Sequence, residues 1–535
     1  MEKNIKWFKD AVVYQIYPLS FKDSNNNGIG DIKGIISKLD YLKNLGVDVI
    51  WLSPVYQSPM LDNGYDISNY LEINPIFGSL DDLKELIKQT HDMHMKLVMD
   101  LVINHTSDQH EWFKKSIQNH LTYQDYYIWR DQPTDIDSIF GGSAWTYNQE
   151  RNAYYFHLFA ESQPDLNWRN QAMRQNIYNM INVWLDMGID GFRLDVIDLI
   201  GKDIDHKILS NGPYLETYLK ELYDTCFKHR DIMTVGETPG LSIERASELT
   251  DSKNPYLDMV FQFAHIGLDE MPGKGKWALK TLDLLELKQT FNKVQQTFYK
   301  KGWNALFLAN HDQPRALHRY GSSIYPKESA KMLATLIYGM QGTPFVYQGE
   351  EIAMTGVEYD DIIKYRDIET LQIYDILLKQ GIPKKEVMKS IHAKGRDNSR
   401  TPFQWDDTAY AGFSTHQPWL DVNPNYKTVN AKKDLASKDS VFMYFKSLFQ
   451  IRKLHEAFTL GNFEIYQIEN KKHFSYYRTY KDEKYLIICS FSNTSFRFDL
   501  PHENFEVLLS NYQQFDLHKS NEIPPYFSCI LKIGA

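Results

Sequence analysis

The chain has 535 residues, a length that exceeds one ordinary domain. Its residues are 43% hydrophobic and 14% aromatic, a composition that suffices for a large core. Its formal net charge of −10, with both signs mixed along the chain, argues against a nucleic-acid partner. Three widely spaced cysteines, an N-terminus without a signal-peptide pattern and no long apolar run together predict a cytoplasmic protein with no membrane partner.

Short apolar runs alternate along the chain with longer amphipathic stretches. The runs are rich in β-branched residues and predict strands buried on both faces. In chain order they are 12–17, 47–55, 96–103, 191–197, 232–237, 259–263, 304–312 and 343–351. Helical spacing follows each run, as in 31–46 and in the stretch that Ser79 is expected to cap. About eight such units predict an α/β fold, the (β/α)₈ TIM barrel.

The segment after the first predicted strand, residues 23–31, has the spacing of a calcium-binding loop. Oxygen ligands at its positions 1, 3, 5, 7 and 9 would come from Asp23, Asn25, Asn27, the Ile29 carbonyl and Asp31. Gly28 takes the sixth position, but Gly34 stands at the twelfth, where an EF-hand needs glutamate. Two interpretations stay open: a weak structural Ca²⁺ site that braces the loop, and an Asn/Gly-rich turn without metal.

Two intervals interrupt the alternation of strands and helices. Residues 104–175 predict a loop-rich insertion domain after strand 3, and residues from about 357 to 430 predict a second insertion after strand 8. Residues 1–103 and 176–459 form the predicted catalytic barrel, with the second insertion as a subdomain within it. From residue 460 to 535, short strand-like runs with turn signals predict a C-terminal antiparallel β-domain.

Polar and charged residues follow several of the predicted strands, at the end where barrel enzymes place their active sites. In chain order they are Asp62, Asp66, Asp100, Asn104, His105, Arg193, Asp195, Glu237, His311 and Asp312. A single carboxylate at such a place often only caps the next helix. Charged residues are seldom buried unless they are paired, so a set drawn from several strands indicates a functional site.

Arg193 and Asp195 are two residues apart on one strand, so their side chains share a face. The guanidinium favours the ionised carboxylate, as a nucleophile requires, whereas neighbouring carboxylates are expected to favour a protonated Glu237. This combination is typical of retaining glycosidases, whose two carboxyls lie about 5–5.5 Å apart. His105 and His311 lie on distant strands, without the spacing of a zinc motif.

Five segments resemble the conserved regions of the α-amylase family of glycoside hydrolases, family 13. They are DLVINHT (100–106), QPDLNW (163–168), GFRLDVI (191–197), VGE (235–237) and ANHDQPR (309–315). The resemblance implies that Asp195 is the nucleophile, that Glu237 is the general acid and base, and that Asp312 holds sugar hydroxyls in the transition state. It also implies that Arg193 orients the nucleophile, and that His105 and His311 donate hydrogen bonds to the sugar.

Within that family the chain is most similar to oligo-1,6-glucosidases and dextran glucosidases. The similarity is carried by WLSPVYQSPMLDNGYDI (51–67), GWNALF (302–307) and GRDNSRTPFQWDD (395–407). It implies that Asp62 and Arg400 pair at the closed end of the pocket, with Tyr65 beneath the non-reducing glucose. Such a pocket admits only a chain end. Val196, after the nucleophile, is the residue common in α-1,6-specific relatives, and Lys276 is a candidate donor on the acceptor side.

The resemblance therefore implies a retaining exo-α-1,6-glucosidase acting on a small oligosaccharide: isomaltose, an isomaltooligosaccharide or a short dextran. Trehalose-6-phosphate hydrolases share much of the pattern, but their substrate needs cationic residues for the phosphate, and the sequence shows no unambiguous cluster. A transglucosylase such as a sucrose isomerase is another alternative. A non-catalytic accessory protein on this fold is a remote one, because Asp195, Glu237 and Asp312 are all present.

Overall fold

Eight parallel strands form the centre of the molecule, in a computed structural model that describes residues 6–253 and 256–534. They are Val13–Ile16 (β1), Val49–Leu52 (β2), Lys96–Leu101 (β3), Gly191–Leu194 (β4), Met233–Glu237 (β5), Met259–Phe261 (β6), Ala305–Leu306 (β7) and Thr343–Tyr347 (β8). Neighbours pair in the order β6-β5-β4-β3-β2-β1-β8-β7. A parallel bridge between Val260 and Asn304 joins the two ends of the sheet. The predicted barrel is confirmed, with each strand inside one predicted run.

Helices follow the barrel strands and cover the outside of the sheet. They are Ile32–Ile36 (α1), Leu39–Leu45 (α2), Leu80–Asp92 (α3), Glu111–Ile117 (α4), Gln171–Asp186 (α5), Leu215–Leu222 (α6), Ile243–Leu249 (α7), Leu284–Phe298 (α8), Ala316–Tyr320 (α9), Pro326–Tyr338 (α10), Ile368–Lys379 (α11), Lys384–Lys394 (α12), Asp397–Arg400 (α13), Ala431–Leu435 (α14), Val441–Leu454 (α15) and Glu456–Leu460 (α16). In the described part of the chain, none of them combines the length and the apolar character needed to cross a bilayer.

The start of α3 confirms one predicted helix boundary, and α1 corrects another. Ser79 caps α3 through a capping box in which its hydroxyl accepts from the Asp82 amide. The single helix expected over 31–46 is two helices. Ser37 ends α1, where its hydroxyl donates to the Gly34 carbonyl, a local bond that competes with helix continuation.

Two insertions and a C-terminal sheet surround the barrel. After β3, strands Trp129–Arg130, Trp145–Asn148 and Ala153–Phe156 form a small antiparallel sheet. After β8, α11 to α13 occupy the second insertion. The C-terminal strands are Asn462–Tyr466 (β9), His473–Tyr480 (β10), Glu483–Ser490 (β11), Phe505–Ser510 (β12) and Ser528–Ile533 (β13). They pair antiparallel in the order β9-β10-β11-β13-β12, which confirms the predicted β-domain.

Large apolar side chains fill the interior of the barrel beneath the strand ends. Trp51, Phe261 and Phe345 pack there, with ring centroids 5.5 Å apart between the first two and 4.7 Å apart between the last two. Each such buried side chain contributes roughly 1.5–3 kcal/mol of hydrophobic stabilisation. This packing also forms the floor of the site, because the Trp51 indole reaches one of the carboxylates at the strand ends.

Candidate active site

One buried guanidinium brings three carboxylates together at the C-terminal ends of β3, β4 and β5. Arg193 places Nη1 2.7 Å from Asp100 and 2.6 Å from Asp195, and Nη2 2.7 Å from Glu237. The predicted nucleophile and the predicted acid therefore bind the two terminal nitrogens of the same guanidinium. That arrangement holds them close together, as the short separation in retaining glycosidases requires, about 5–5.5 Å.

Asp100 supports this centre from below. It is fully buried, and its Oδ2 accepts hydrogen bonds from the Trp51 indole and the Tyr65 hydroxyl, each at 3.0 Å. Its Oδ1 binds Arg193. One oxygen thus binds the same Nη1 atom as Asp195, and the other is held by two donors. Asp100 fixes the guanidinium, and with it the two carboxylates that the guanidinium binds.

The backbone at Val196 makes a second link between the two carboxylates. Val196 has φ +36° and ψ 44°, a left-handed conformation that is unfavourable for a β-branched residue. In this conformation its amide donates to Glu237 Oε2 at 3.0 Å. The turn after Asp195 therefore directs an N–H donor at Glu237, so the local strain coincides with the predicted catalytic pair.

The charge of Asp195 is set by opposing influences. Burial raises the pKa of its carboxyl well above the usual range, and Glu237 and Asp100 add to that rise, while Arg193 opposes it. The guanidinium acts in the predicted direction, but it is outweighed. Three carboxylates share this one cation in a dry site, so its influence does not prevail.

The rate should consequently fall as the pH is lowered. The predicted nucleophile Asp195 would attack only as a carboxylate, so kcat/KM for isomaltose should decrease as pH drops through its raised pKa, which lies above the ordinary value of about 4. Asp100→Asn removes one contribution to that rise and should move the acid limb to lower pH. A pH–rate profile of both proteins measures the shift; an acid limb centred at or below about pH 4 in the wild type would contradict it.

The other end of the site is built around Asp312, which follows β7. Its Oδ1 accepts from Arg400 at 2.7 Å and from Arg396 at 3.2 Å, and its Oδ2 lies 3.0 Å from His311 Nε2. Burial alone would raise the pKa of Asp312, but His311 and the two guanidinium groups hold it well below the usual range. Asp312 is therefore an anion at any working pH, ready to accept hydrogen bonds from sugar hydroxyls.

Asp62 and Arg400 do not pair with each other, so that prediction is wrong. Asp62 binds Arg396 Nη2 at 3.0 Å and accepts from Gln163 at 3.1 Å. Arg400 instead binds Asp312 and donates to the His311 carbonyl at 2.8 Å. Residues 396 and 400 lie one helical turn apart and present their side chains to the same side. Both arginines thus bind Asp312, while Asp62 binds Arg396.

The insertion after β8 supplies two residues that the sequence analysis did not assign. Arg396 contacts Asp62 and Asp312, and Asp367, the N-cap of α11, lies 2.6 Å from Arg396 and 3.6 Å from Arg400. Asp367 is completely buried, and the same oxygen contacts both arginines. Within GRDNSR, the helical spacing of Arg396 and Arg400 could have indicated that Arg396 also faces the pocket. No local sequence pattern indicated Asp367.

Three other predicted contact residues, Tyr65, His105 and Lys276, each already contact another group of the protein. Tyr65 stacks on His311 with ring centroids 5.1 Å apart and planes 6° from parallel, so one ring face is already covered. His105 Nε2 lies 3.1 Å from the Tyr65 carbonyl, and burial lowers the pKa of His105, which keeps the ring neutral. Lys276 is bound to Glu369 at 2.7 Å, so the candidate acceptor-side donor already has a partner.

The predicted calcium loop is folded around its own hydrogen bonds. Asp23 Oδ1 accepts from the amides of residues 25 and 26, and its Oδ2 accepts from the Gly28 amide and the Ser414 hydroxyl. Asn27 accepts from the Ile29 amide, and Asp31 accepts from Ser24 and from Gly34 at the start of α1. Oxygen ligands of this kind suit a hard cation. A bound ion would compete with the amide and hydroxyl donors for the same oxygens, so any binding would be weak.

Comparisons with known proteins agree with the family resemblance. The profile of the family described as "Alpha amylase, catalytic domain" matches residues 15–461. An oligo-1,6-glucosidase of Bacillus cereus is 48% identical, with 100% of both chains covered. A glucan 1,6-alpha-glucosidase of Streptococcus pneumoniae is 47% identical, covering 97% of this chain and 98% of that protein. The crystal structure of Bacillus licheniformis trehalose-6-phosphate hydrolase superposes with a TM-score of 0.93 at 43% identity, covering 99% of this chain and 100% of that one. The chain belongs to the α-amylase family and is a glycoside hydrolase.

Proposed function

We propose that the protein is a retaining, exo-acting α-1,6-glucosidase that releases glucose from the non-reducing ends of isomaltose, isomaltooligosaccharides or short dextrans. The observation that carries this proposal is the attachment of Asp195 and Glu237 to one guanidinium, beside a second cluster of ion pairs around Asp312. Two relatives that are 47–48% identical along nearly the whole chain are an oligo-1,6-glucosidase and a glucan 1,6-alpha-glucosidase, which supports the same activity.

The chemistry follows from the positions of the two carboxyls. The Asp195 carboxylate attacks the anomeric carbon of the terminal glucose, while protonated Glu237 gives its proton to the departing glycosidic oxygen. A covalent glucosyl-enzyme ester results. The Glu237 carboxylate then removes a proton from water, which displaces Asp195 and restores the acid. Two inversions leave the α-configuration in the product.

The second cluster accounts for exo-action. Asp62, Arg396, Asp312 and Arg400 form a connected series of ion pairs, and Asp367 contacts both arginines. These fixed donors and acceptors suit the hydroxyls of one terminal sugar ring. A chain that continued past that ring would have to break the network, at the cost of unpaired buried charges.

Ion pairing also favours a neutral substrate over a phosphorylated one. The cations around the site each contact a carboxylate: Arg193, Lys202, Lys276, Arg396 and Arg400. A phosphate would have to compete with these partners, whereas a glucose hydroxyl need not. This pairing favours isomaltose over trehalose 6-phosphate as the substrate, although the trehalose-6-phosphate hydrolase structure is similar in fold.

A panel of defined substrates tests the proposal. We expect kcat/KM for isomaltose to exceed that for trehalose 6-phosphate, maltose and sucrose by at least about tenfold, equivalent to roughly 1.4 kcal/mol of transition-state binding. NMR of the first product should show α-glucose before mutarotation. Preference for trehalose 6-phosphate would overturn the assignment, and conversion of sucrose to an isomer would indicate a transglucosylase instead.

We further propose that the protein works in the cytoplasm on small sugars, without a nucleic-acid or membrane partner. Its net charge of −10 disfavours polyanions. Within the described residues, Cys226, Cys489 and Cys529 are buried free thiols, as a reducing compartment allows. Fractionation of the source cells with an activity assay tests the location.

We also propose that Ca²⁺ binds the loop at residues 23–31 weakly and braces it. Millimolar CaCl₂ should raise the melting temperature above that in EGTA by a few degrees at most, and Asn25→Ala should remove the difference. Asp23→Ala should lower the melting temperature even in EGTA, because its carboxylate accepts four hydrogen bonds from the protein. Equal wild-type melting in CaCl₂ and EGTA would identify the loop as a turn without metal.

A further inference from the structure

A second cavity lies at the face of the barrel opposite the active site. Its volume is about 340 Å³, in the range of small-molecule sites. Its walls include residues that precede the N-terminal ends of the strands: Lys9 before β1, Ile232 before β5, Leu257 before β6 and Trp303 before β7. Barrel enzymes perform their chemistry at the other end. The cavity is therefore separate from the glucosidase site, and its ligand has to be inferred from its own lining.

Positive charge dominates that lining. The cationic residues are Lys6, Lys9, Lys228, Arg230, Lys300 and Lys301, and Asp258 is the one carboxylate among the lining residues. Lys228 and Arg230 have acidic partners on the surface. Within residues 6–253 and 256–534, the other four lysines contact no carboxylate at ion-pair distance. Such a concentration of unpaired cations in a protein of net charge −10 attracts anions.

Lys9 packs against an aromatic wall of the cavity. Its Nζ lies 4.5 Å from the centroid of the Trp303 ring, and its side chain is half-buried, so burial lowers the pKa of Lys9. The Asp258 carboxylate opposes this lowering in part, while its Oδ2 accepts from the amide and hydroxyl of Thr234 at 2.9 and 3.0 Å. Burial also raises the pKa of Asp258 to about 6. An anion in the cavity would relieve this imbalance of charge.

We propose that this cavity binds a phosphorylated small molecule of about the size of a hexose phosphate. The lysines suit the phosphate, to which ammonium groups bind as point charges. Tyr256 and Tyr299 are partly exposed in the same cavity and provide ring surface for a sugar. This site does not depend on the proposed glucosidase activity, since no residue of the catalytic centre lines it.

Calorimetric titration of the full-length protein with glucose 6-phosphate tests the proposal. Saturating glucose is included so that the active site is already occupied. We expect binding that weakens as salt is raised, and a loss of affinity of at least about tenfold in Lys9→Gln. Lys38→Gln is the matched control, because Lys38 is also half-buried over an indole ring, that of Trp405 at 4.2 Å, and lies outside the cavity.

Three outcomes decide the matter. Binding to wild type and Lys38→Gln but not to Lys9→Gln supports the site, provided that all three proteins hydrolyse p-nitrophenyl α-glucoside at the same rate. Absence of binding by both glucose 6-phosphate and inorganic phosphate at millimolar concentration overturns it. An equal loss in the two lysine variants also overturns it, because the effect would then follow from net charge and not from the cavity.

Discussion

Asp195→Asn should lower kcat on isomaltose by about 10⁴-fold or more, without loss of stability. The amide cannot form the glucosyl ester, so only binding remains. Burial raises the pKa of Asp195, which means that the folded protein binds this proton more tightly than the unfolded chain. Above that pKa the ionised group therefore destabilises the fold, and replacing it with a neutral amide should leave the melting temperature at pH 7 unchanged or higher.

Glu237→Gln tests the acid and base role of Glu237 separately from the nucleophile role of Asp195. Loss of the acid should nearly abolish isomaltose hydrolysis, whereas p-nitrophenyl α-glucoside, whose leaving group needs no proton, should still form the ester. Azide can then replace water as the acceptor. Attack on the ester in Glu237→Gln yields α-glucosyl azide, while direct attack in Asp195→Asn yields the β-anomer. If both variants give the same anomer, the two roles are assigned wrongly.

The barrel was predictable because its signal is local. A strand buried on both faces in a parallel sheet needs an apolar run, and each of β1 to β8 lies inside such a run. Once the strands are placed, their C-terminal ends define where Asp195, Glu237 and Asp312 meet, since barrel strands share one direction. The catalytic carboxylates could therefore be grouped from sequence, although the contacts among them could not.

The partners of those carboxylates depend on how distant segments pack. Asp62 follows β2, while Arg396 and Arg400 come from an insertion more than 300 residues later, as the Asp62–Arg396 separation of 334 shows. Hydrophobic periodicity does not fix the position of such an insertion over the barrel. The lysine-lined cavity had no sequence signal for the same reason: Lys9, Lys228 and Lys301 are distant in the chain and converge only at the base of the barrel.

The pairing of Asp62 with Arg396 predicts a specific coupling between these two side chains. In double-mutant cycles on kcat/KM for isomaltose, Asp62→Asn and Arg396→Lys should couple by about 1–3 kcal/mol, because each removes the same contact. Asp62→Asn and Arg400→Lys should couple less strongly, since Arg400 binds Asp312 and is linked to Asp62 only through the network. The reverse result would restore the pairing expected from sequence. Lysine is the replacement because it keeps the positive charge and loses the planar fork that two carboxylates share.

Arg396→Met should be far more damaging, and it tests whether the network holds the pocket closed. This change leaves one guanidinium, that of Arg400, near three buried or half-buried carboxylates. They are Asp62, Asp312 and Asp367. Uncompensated buried charge of this kind costs about 3–5 kcal/mol in unfolding free energy. Asp367→Asn combined with Arg396→Met removes one of the stranded charges and should recover part of that stability. If it recovers stability but not kcat/KM, the arginine acts on the substrate-binding geometry as well as on the fold, which is the outcome that a pocket closed by Arg396 requires.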